Sequence, residues 1–189
     1  MKRLYNKIKE SYTNWLRNIT WKQVLFFTVF FVLFVSLVLP WVNTLSEELI
    51  GVSDSIDTGF KTDIKELYHI RELYGVAGRL NYIYLRVTFD LIWPIIYFLF
   101  LASTTALLTK NITESNAHRY LNYLPIIAIL LDYFENVLAI IFMAIYPGNF
   151  DILVFILIVV SLNKWVWIGF AFLQIIYLSL VRSVQYVRK

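Results

Sequence analysis

Cysteine is absent from the 189 residues, histidine occurs only twice, and charged residues make up just 16%. Without a thiol there is no disulfide framework, no thiolate zinc site and no cysteine nucleophile. His69 and His118 lie outside every apolar run, so neither a buried histidine triad nor a multi-histidine metal centre can be assembled. The GxSxG, HExxH, P-loop and dinucleotide signatures are also missing, which closes the usual hydrolase, metalloprotease and nucleotide-binding sites. No cofactor is expected.

What the chain has in abundance is apolar side chain, 59% of all residues, far above the share in a water-soluble domain. A soluble globule is excluded. A bilayer core about 30 Å thick takes roughly 20 apolar residues per helix, and four stretches reach that length, at about 23–42, 83–109, 121–146 and 152–181. Barrel strands would alternate apolar and polar residues, whereas VLFFTVFFVLFVSLVLP is apolar on every side. The expected fold class is therefore all-α, a polytopic bundle of four transmembrane helices. The first run ends in Leu39-Pro40-Trp41-Val42 with no small-x-small cleavage pattern, so it reads as an uncleaved anchor.

Lysine and arginine orient the spans. The segment before span one, the connection between spans two and three, and the C-terminal tail hold eleven basic residues against two acids, Glu10 and Glu114. The opposite side holds Lys61, Lys65, Arg71 and Arg79 against eight acids. Both termini are expected in the cytoplasm of a cell (inner) membrane protein. The basic balance is topology, and no nucleic-acid partner is expected.

Residues 1–22 form a basic segment in which Leu4, Tyr5, Ile8, Tyr12, Trp15, Leu16 and Ile19 recur every three or four residues. That spacing predicts an in-plane helix on anionic lipid. Asn18-Ile-Thr20 and Asn111-Ile-Thr113 match glycosylation sequons but fall on the cytoplasmic side. The outer connection 43–82 is too long for a passive link. Within it Phe60, Ile64, Leu67, Tyr68, Ile70, Leu73 and Tyr74 make an apolar stripe among Lys61, Asp63, Lys65, Glu66, Arg71 and Glu72. An amphipathic extracytoplasmic helix closed by Gly75 is predicted there, with His69 on its surface.

Five ionisable groups lie within the spans: Arg86, Asp90, Asp132, Glu135 and Lys164. Each costs at least about 2.5 kcal/mol at bilayer depth, which marks either an internal charge network or a site. Arg86 and Asp90 share a helix face, continued inward by Trp93, Tyr97 and Thr104. Pro94 displaces the carbonyl of Asp90 and so exposes a polar backbone group beside the carboxylate. Asp132, Glu135 and Asn136 share one face of span three. Two carboxylates a turn apart in a poorly hydrated place cannot both ionise cheaply unless a cation lies between them; Lys164 of span four is that cation.

Depth arithmetic at 1.5 Å per residue puts these groups in a polar cavity in the outer half of the bundle. Asp132 and Glu135 are the candidate proton-exchanging pair, and Arg86, Asp90, Tyr97, Asn136 and Lys164 the candidate substrate-binding groups. A hard cation could use the oxygens of Asp90, Asp132, Glu135 and Asn136, but Lys164 competes for them, and no metal site is assigned.

Three functions fit. A proton-coupled transporter or channel for a small solute or ion leads, and its narrow protomer implies a homo-oligomer within membrane lipid. The second is an intramembrane enzyme modifying a lipid or sterol by carboxylate acid/base chemistry. For it, the four-span size and membrane carboxylates resemble the emopamil-binding sterol isomerase group, in architecture alone. The third is a non-catalytic assembly subunit pairing through small residues such as Ala102, Ser103 and Ala106.

Overall fold

The computed structural model describes residues 2–52, 56, 60–110 and 120–187. The Asn111 sequon, His118, Arg119, Glu114, Asp54, Asp57, Arg188 and Lys189 lie outside them. The described chain is helical throughout: α1 (Lys2–Asn18), α2 (Trp21–Leu33), a π-helical turn (Phe34–Val38), α3 (Leu39–Ile50), α4 (Ile64–Leu73), α5 (Gly75–Thr109), α6 (Leu124–Ala144) and α7 (Asp151–Val187). Four helical runs are long and apolar enough to cross a membrane, Trp21–Ile50, Gly75–Thr109, Leu124–Ala144 and Asp151–Tyr186.

Local chemistry sets the breaks. Thr20 and Gln23 close α1 off from α2 with a capping box, the Thr20 Oγ1 accepting from the Gln23 amide and the Gln23 side chain accepting from the Thr20 amide at 2.9 Å. Pro40 has no amide hydrogen and would crowd the carbonyl one turn back. The wider turn ahead of it absorbs this, with the Leu39 amide reaching Phe34 O. Gly75 takes φ +59° between α4 and α5, a conformation open to glycine, so two helices meet with no loop.

Three of the four spanning runs overrun the expected stretches, whereas α6 (Leu124–Ala144) falls inside 121–146. The expected outer loop 43–82 is helical at both ends, in α3 up to Ile50 and in α5 from Gly75, and α7 runs on to Val187. Apolar content measures how much chain suits lipid, whereas backbone hydrogen bonding carries a helix on through polar residues such as Asn81 and Arg182.

α5, α6 and α7 pack together as the centre of the bundle, and α2 and α3 lean chiefly on α5. The first spanning run is largely exposed, with 11% of its 18-residue apolar window buried, and its aromatic residues Phe31 and Phe34 stack on Trp93 of α5. α3 approaches α5 so closely at Gly78 that an added Cβ would stand 2.8 Å from Ile50 O. At the opposite end Ile19, Val24 and Ala106 seat the end of α1 on α5. The Tyr12 hydroxyl donates to Asn122 O at 2.8 Å, and burial pushes that hydroxyl's pKa up. Leu4 and Ile8 of α1 remain exposed. The two ends of the bundle are called below the α4 end and the α1 end.

α4 departs from its expected faces. Phe60 and Leu73 are exposed, while Leu67, Ile70, Arg71 and Tyr74 are buried, a stripe at i, i+3, i+4 and i+7 that contains a cation. The guanidinium of Arg71 donates to Phe142 O and Gly148 O at 3.1 Å and to Asn149 Oδ1 at 2.7 Å. It also stands over the rings of Tyr68, Phe142 and Tyr146. Through Nη1 and Nη2 the guanidinium thus satisfies acceptors at and just beyond the end of α6, while its Nε is buried with no hydrogen-bond partner among the described residues. His69 is exposed. Arg71→Met removes three charge-assisted hydrogen bonds and strands those carbonyls, so thermal melting in detergent is expected to show a loss of about 2–4 kcal/mol; Glu72→Gln, exposed on the same helix, leaves melting unchanged.

Candidate functional site

Along the inner faces of α5, α6 and α7 the seven candidate residues meet in three sets, Arg86 with Asp90 and Asn136, Tyr97 with Asp132, and Lys164 with Glu135. Asp132, Glu135, Asn136, Lys164, Arg86 and Tyr97 each expose at most 6% of their surface. Asp90, toward the edge, keeps 20% of its side chain exposed.

Nearest the α4 end, Arg86 is held on three sides. Its guanidinium donates to Asn136 Oδ1 at 2.6 Å and to the Tyr82 hydroxyl at 2.5 Å, and pairs with Asp90 Oδ2 at 3.2 Å. The aromatic face of Tyr82 lies under it at 4.7 Å. Pro94 explains the position of Asn136. The proline cannot give Asp90 O its helical hydrogen bond, and Asn136 Nδ2 donates to that carbonyl at 3.1 Å. One turn further along α6 toward its start, the Tyr133 hydroxyl takes Leu91 O at 2.9 Å. Two carbonyls of α5, those of Asp90 and Leu91, thus accept from side chains of α6 and fix which of its faces meets α5.

That docking sets the acids. Glu135, one residue before Asn136, turns to α7 and forms an ion pair with Lys164 through Oε2. Its other oxygen, Oε1, is buried with no hydrogen-bond partner among the described residues. Asp132, one turn earlier, accepts from the Tyr97 hydroxyl at 2.9 Å.

The charged groups meet one another directly, Arg86 with Asp90 and Lys164 with Glu135. The candidate substrate-binding atoms of Arg86, Asp90, Tyr97 and Asn136 are engaged with protein partners in this state. The network holds three carboxylates and two cations, so with every group ionised it carries one uncompensated negative charge.

Among the described residues no three metal-ligating side chains converge. The small residues Ala102, Ser103 and Ala106 are buried within the chain itself, so that stripe serves internal packing.

Two functional-looking features escaped the sequence reading. Arg71 looked like one of many charges on a solvated face. Gln174, which the sequence reading passed over, is buried and donates through Nε2 to Thr105 Oγ1 at 2.7 Å. Its signal was spacing: Lys164, Ala171 and Gln174 fall on one helix face at i, i+7 and i+10.

The chain matches no protein-family model, no curated protein and no solved structure. Its function must be argued from these side chains.

Proposed function

We propose that this chain is a proton-coupled transporter or channel of a cell membrane, working as a homo-oligomer with both termini in the cytoplasm. Glu135 and Asp132 exchange the proton, and Arg86, Asp90, Tyr97, Asn136 and Lys164 form the solute- or ion-binding shell. The observation that carries this reading is the state of Glu135: 0% exposed, one oxygen on Lys164, the other with no partner among the described residues. A buried carboxylate oxygen left open is costly for a scaffold and is what a proton acceptor requires.

The chemistry follows from the surplus acid. A proton delivered to Glu135 neutralises the network and weakens the hold of Glu135 on Lys164. The ammonium then turns to Asp132, which competes with Tyr97 for that carboxylate. Loss of the bond from Tyr97 unpins α5 from α6 and frees the groups around Arg86 to take a solute. Protonation and binding are thereby coupled through one two-state element.

The lipid- or sterol-modifying alternative requires a carboxylate that a bilayer-dissolved substrate can reach. Glu135 and Asp132, at 0% and 4% exposure, lie behind packed helices, which favours transport.

A pH jump applied to proteoliposomes on a solid support tests the reading. Wild-type protein is expected to give a transient charge displacement on proton binding; a trace equal to that of protein-free membranes overturns it. The orientation has its own check, since any introduced cysteine is the sole thiol in the chain. Lys9→Cys is expected to resist an impermeant thiol reagent in intact cells and Glu47→Cys to react. Labelling of Lys9→Cys without permeabilisation reverses the orientation.

A further inference from the structure

Five buried side-chain atoms have no hydrogen-bond partner among the described residues, the Nε of Arg71 at the α4 end and four oxygens from Glu135 toward the α1 end. Toward the α4 end, the guanidinium and amide around Asp90 are satisfied by protein. From Glu135 toward the α1 end, Glu135 Oε1, Thr104 Oγ1, Gln174 Oε1 and Asn122 Oδ1 are buried with no hydrogen-bond partner among the described residues. Buried acceptors of this kind are normally satisfied by ordered water.

Those on α5 and α7 succeed one another in depth. On α5, Tyr97 is succeeded by Leu101 and then by Thr104 and Thr105, about 6 Å and 10–12 Å further along the axis. On α7, Gln174 lies about 15 Å beyond Lys164 in the same direction. Gln174 and Thr105 are 6% and 0% exposed and bonded to each other across the two helices, which leaves the carboxamide oxygen of Gln174 directed at neither backbone nor side chain. Between this pair and the acids stand Leu101, Ala128 and Ala171, all fully buried and packed with Tyr97. Leu101 is the one bulky aliphatic side chain among those three.

We propose that Gln174, with Thr105 and Thr104, is a buried water-binding site that forms the proton entry route from the α1 end to the carboxylate pair, with Leu101 as its gate. The inference rests on the proton-exchange reading of Glu135 and adds the side from which the proton comes. A proton passes from bulk water along waters held by Gln174 Oε1 and Thr104 Oγ1 to a Glu135 carboxylate oxygen. Each water gives one proton onward and receives one behind it, so nothing else is consumed. The charged and titratable groups facing Glu135 are Arg86, Asp90 and Tyr97 from α5, Lys164 from α7 and Asp132 from its own helix. None belongs to the Gln174 layer, so the route can be altered without changing them.

The test follows hydrogen–deuterium exchange of the buried carboxyl group by infrared spectroscopy after transfer of proteoliposomes into deuterated water. Gln174→Leu with Thr105→Val removes both members of the pair and orphans neither. Exchange is expected to slow about tenfold or more, the rate equivalent of one lost water hydrogen bond. Gln174→Met alone keeps the volume and is expected to slow exchange likewise at wild-type helicity, whereas Thr105→Ser keeps the hydroxyl and the wild-type rate. Wild-type exchange rates in both the double variant and Gln174→Met overturn the entry route. If instead no carboxyl band depends on Glu135 even in the wild-type sequence, the reading of Glu135 itself falls.

Discussion

Lys164→Met is expected to lower the stability of the bundle by about 3–5 kcal/mol, the usual cost of leaving one partner of a buried ion pair alone. Lys164 exposes 7% of its side chain and Glu135 1%, so solvent cannot replace the lost ammonium. Glu135→Gln introduced alongside is expected to return part of this loss, because an amide costs far less to bury than a carboxylate. Melting of the wild type, both single variants and the double variant in detergent yields the coupling directly. Groups in contact give a coupling of about 0.5–3 kcal/mol. Additive losses would mean that the two side chains do not meet and that the network is misdrawn.

Glu135→Gln alone is expected to abolish the pH-jump charge displacement while leaving helicity and cooperative melting intact. The carboxamide keeps the shape of the side chain and still offers an oxygen to Lys164, so packing against α7 survives. What it cannot do is accept a proton. Asp90→Asn behaves differently: it weakens the pair with Arg86 at 3.2 Å, but its neighbour Asn136 still holds both Arg86 and the Asp90 carbonyl. That variant is expected to lose some stability and retain the charge displacement. Displacement lost in Asp90→Asn and kept in Glu135→Gln would move the proton-exchanging role to the edge of the bundle.

Much of this was legible from residue spacing. The four apolar runs, the shared face of Asp132, Glu135 and Asn136, and the pairing of Arg86 with Asp90 all follow from helical periodicity and the cost of charge in lipid. Pro94 even announced which carbonyl would lack its helical hydrogen bond, and Asn136 is the group that donates to it. Contacts between helices were not legible. Arg71 shares its periodicity with ordinary surface charges, and only the folding of the α6–α7 connection back over α4 supplies the carbonyls that bury it. Gln174 likewise gains meaning from Thr105, 69 residues away. Whether charged side chains line a space or fill it depends on helix separation, which periodicity does not encode.

The central claim is that Glu135 is a buried group that takes and gives up a proton. Infrared spectra of the carboxylic-acid C=O stretch, recorded across a pH titration in wild type, Glu135→Gln and Asp90→Asn, test it most directly. A titrating band of a buried carboxyl group is predicted in the wild type and in Asp90→Asn, and its loss in Glu135→Gln. A band that is absent throughout, or that disappears only in Asp90→Asn, would contradict the account.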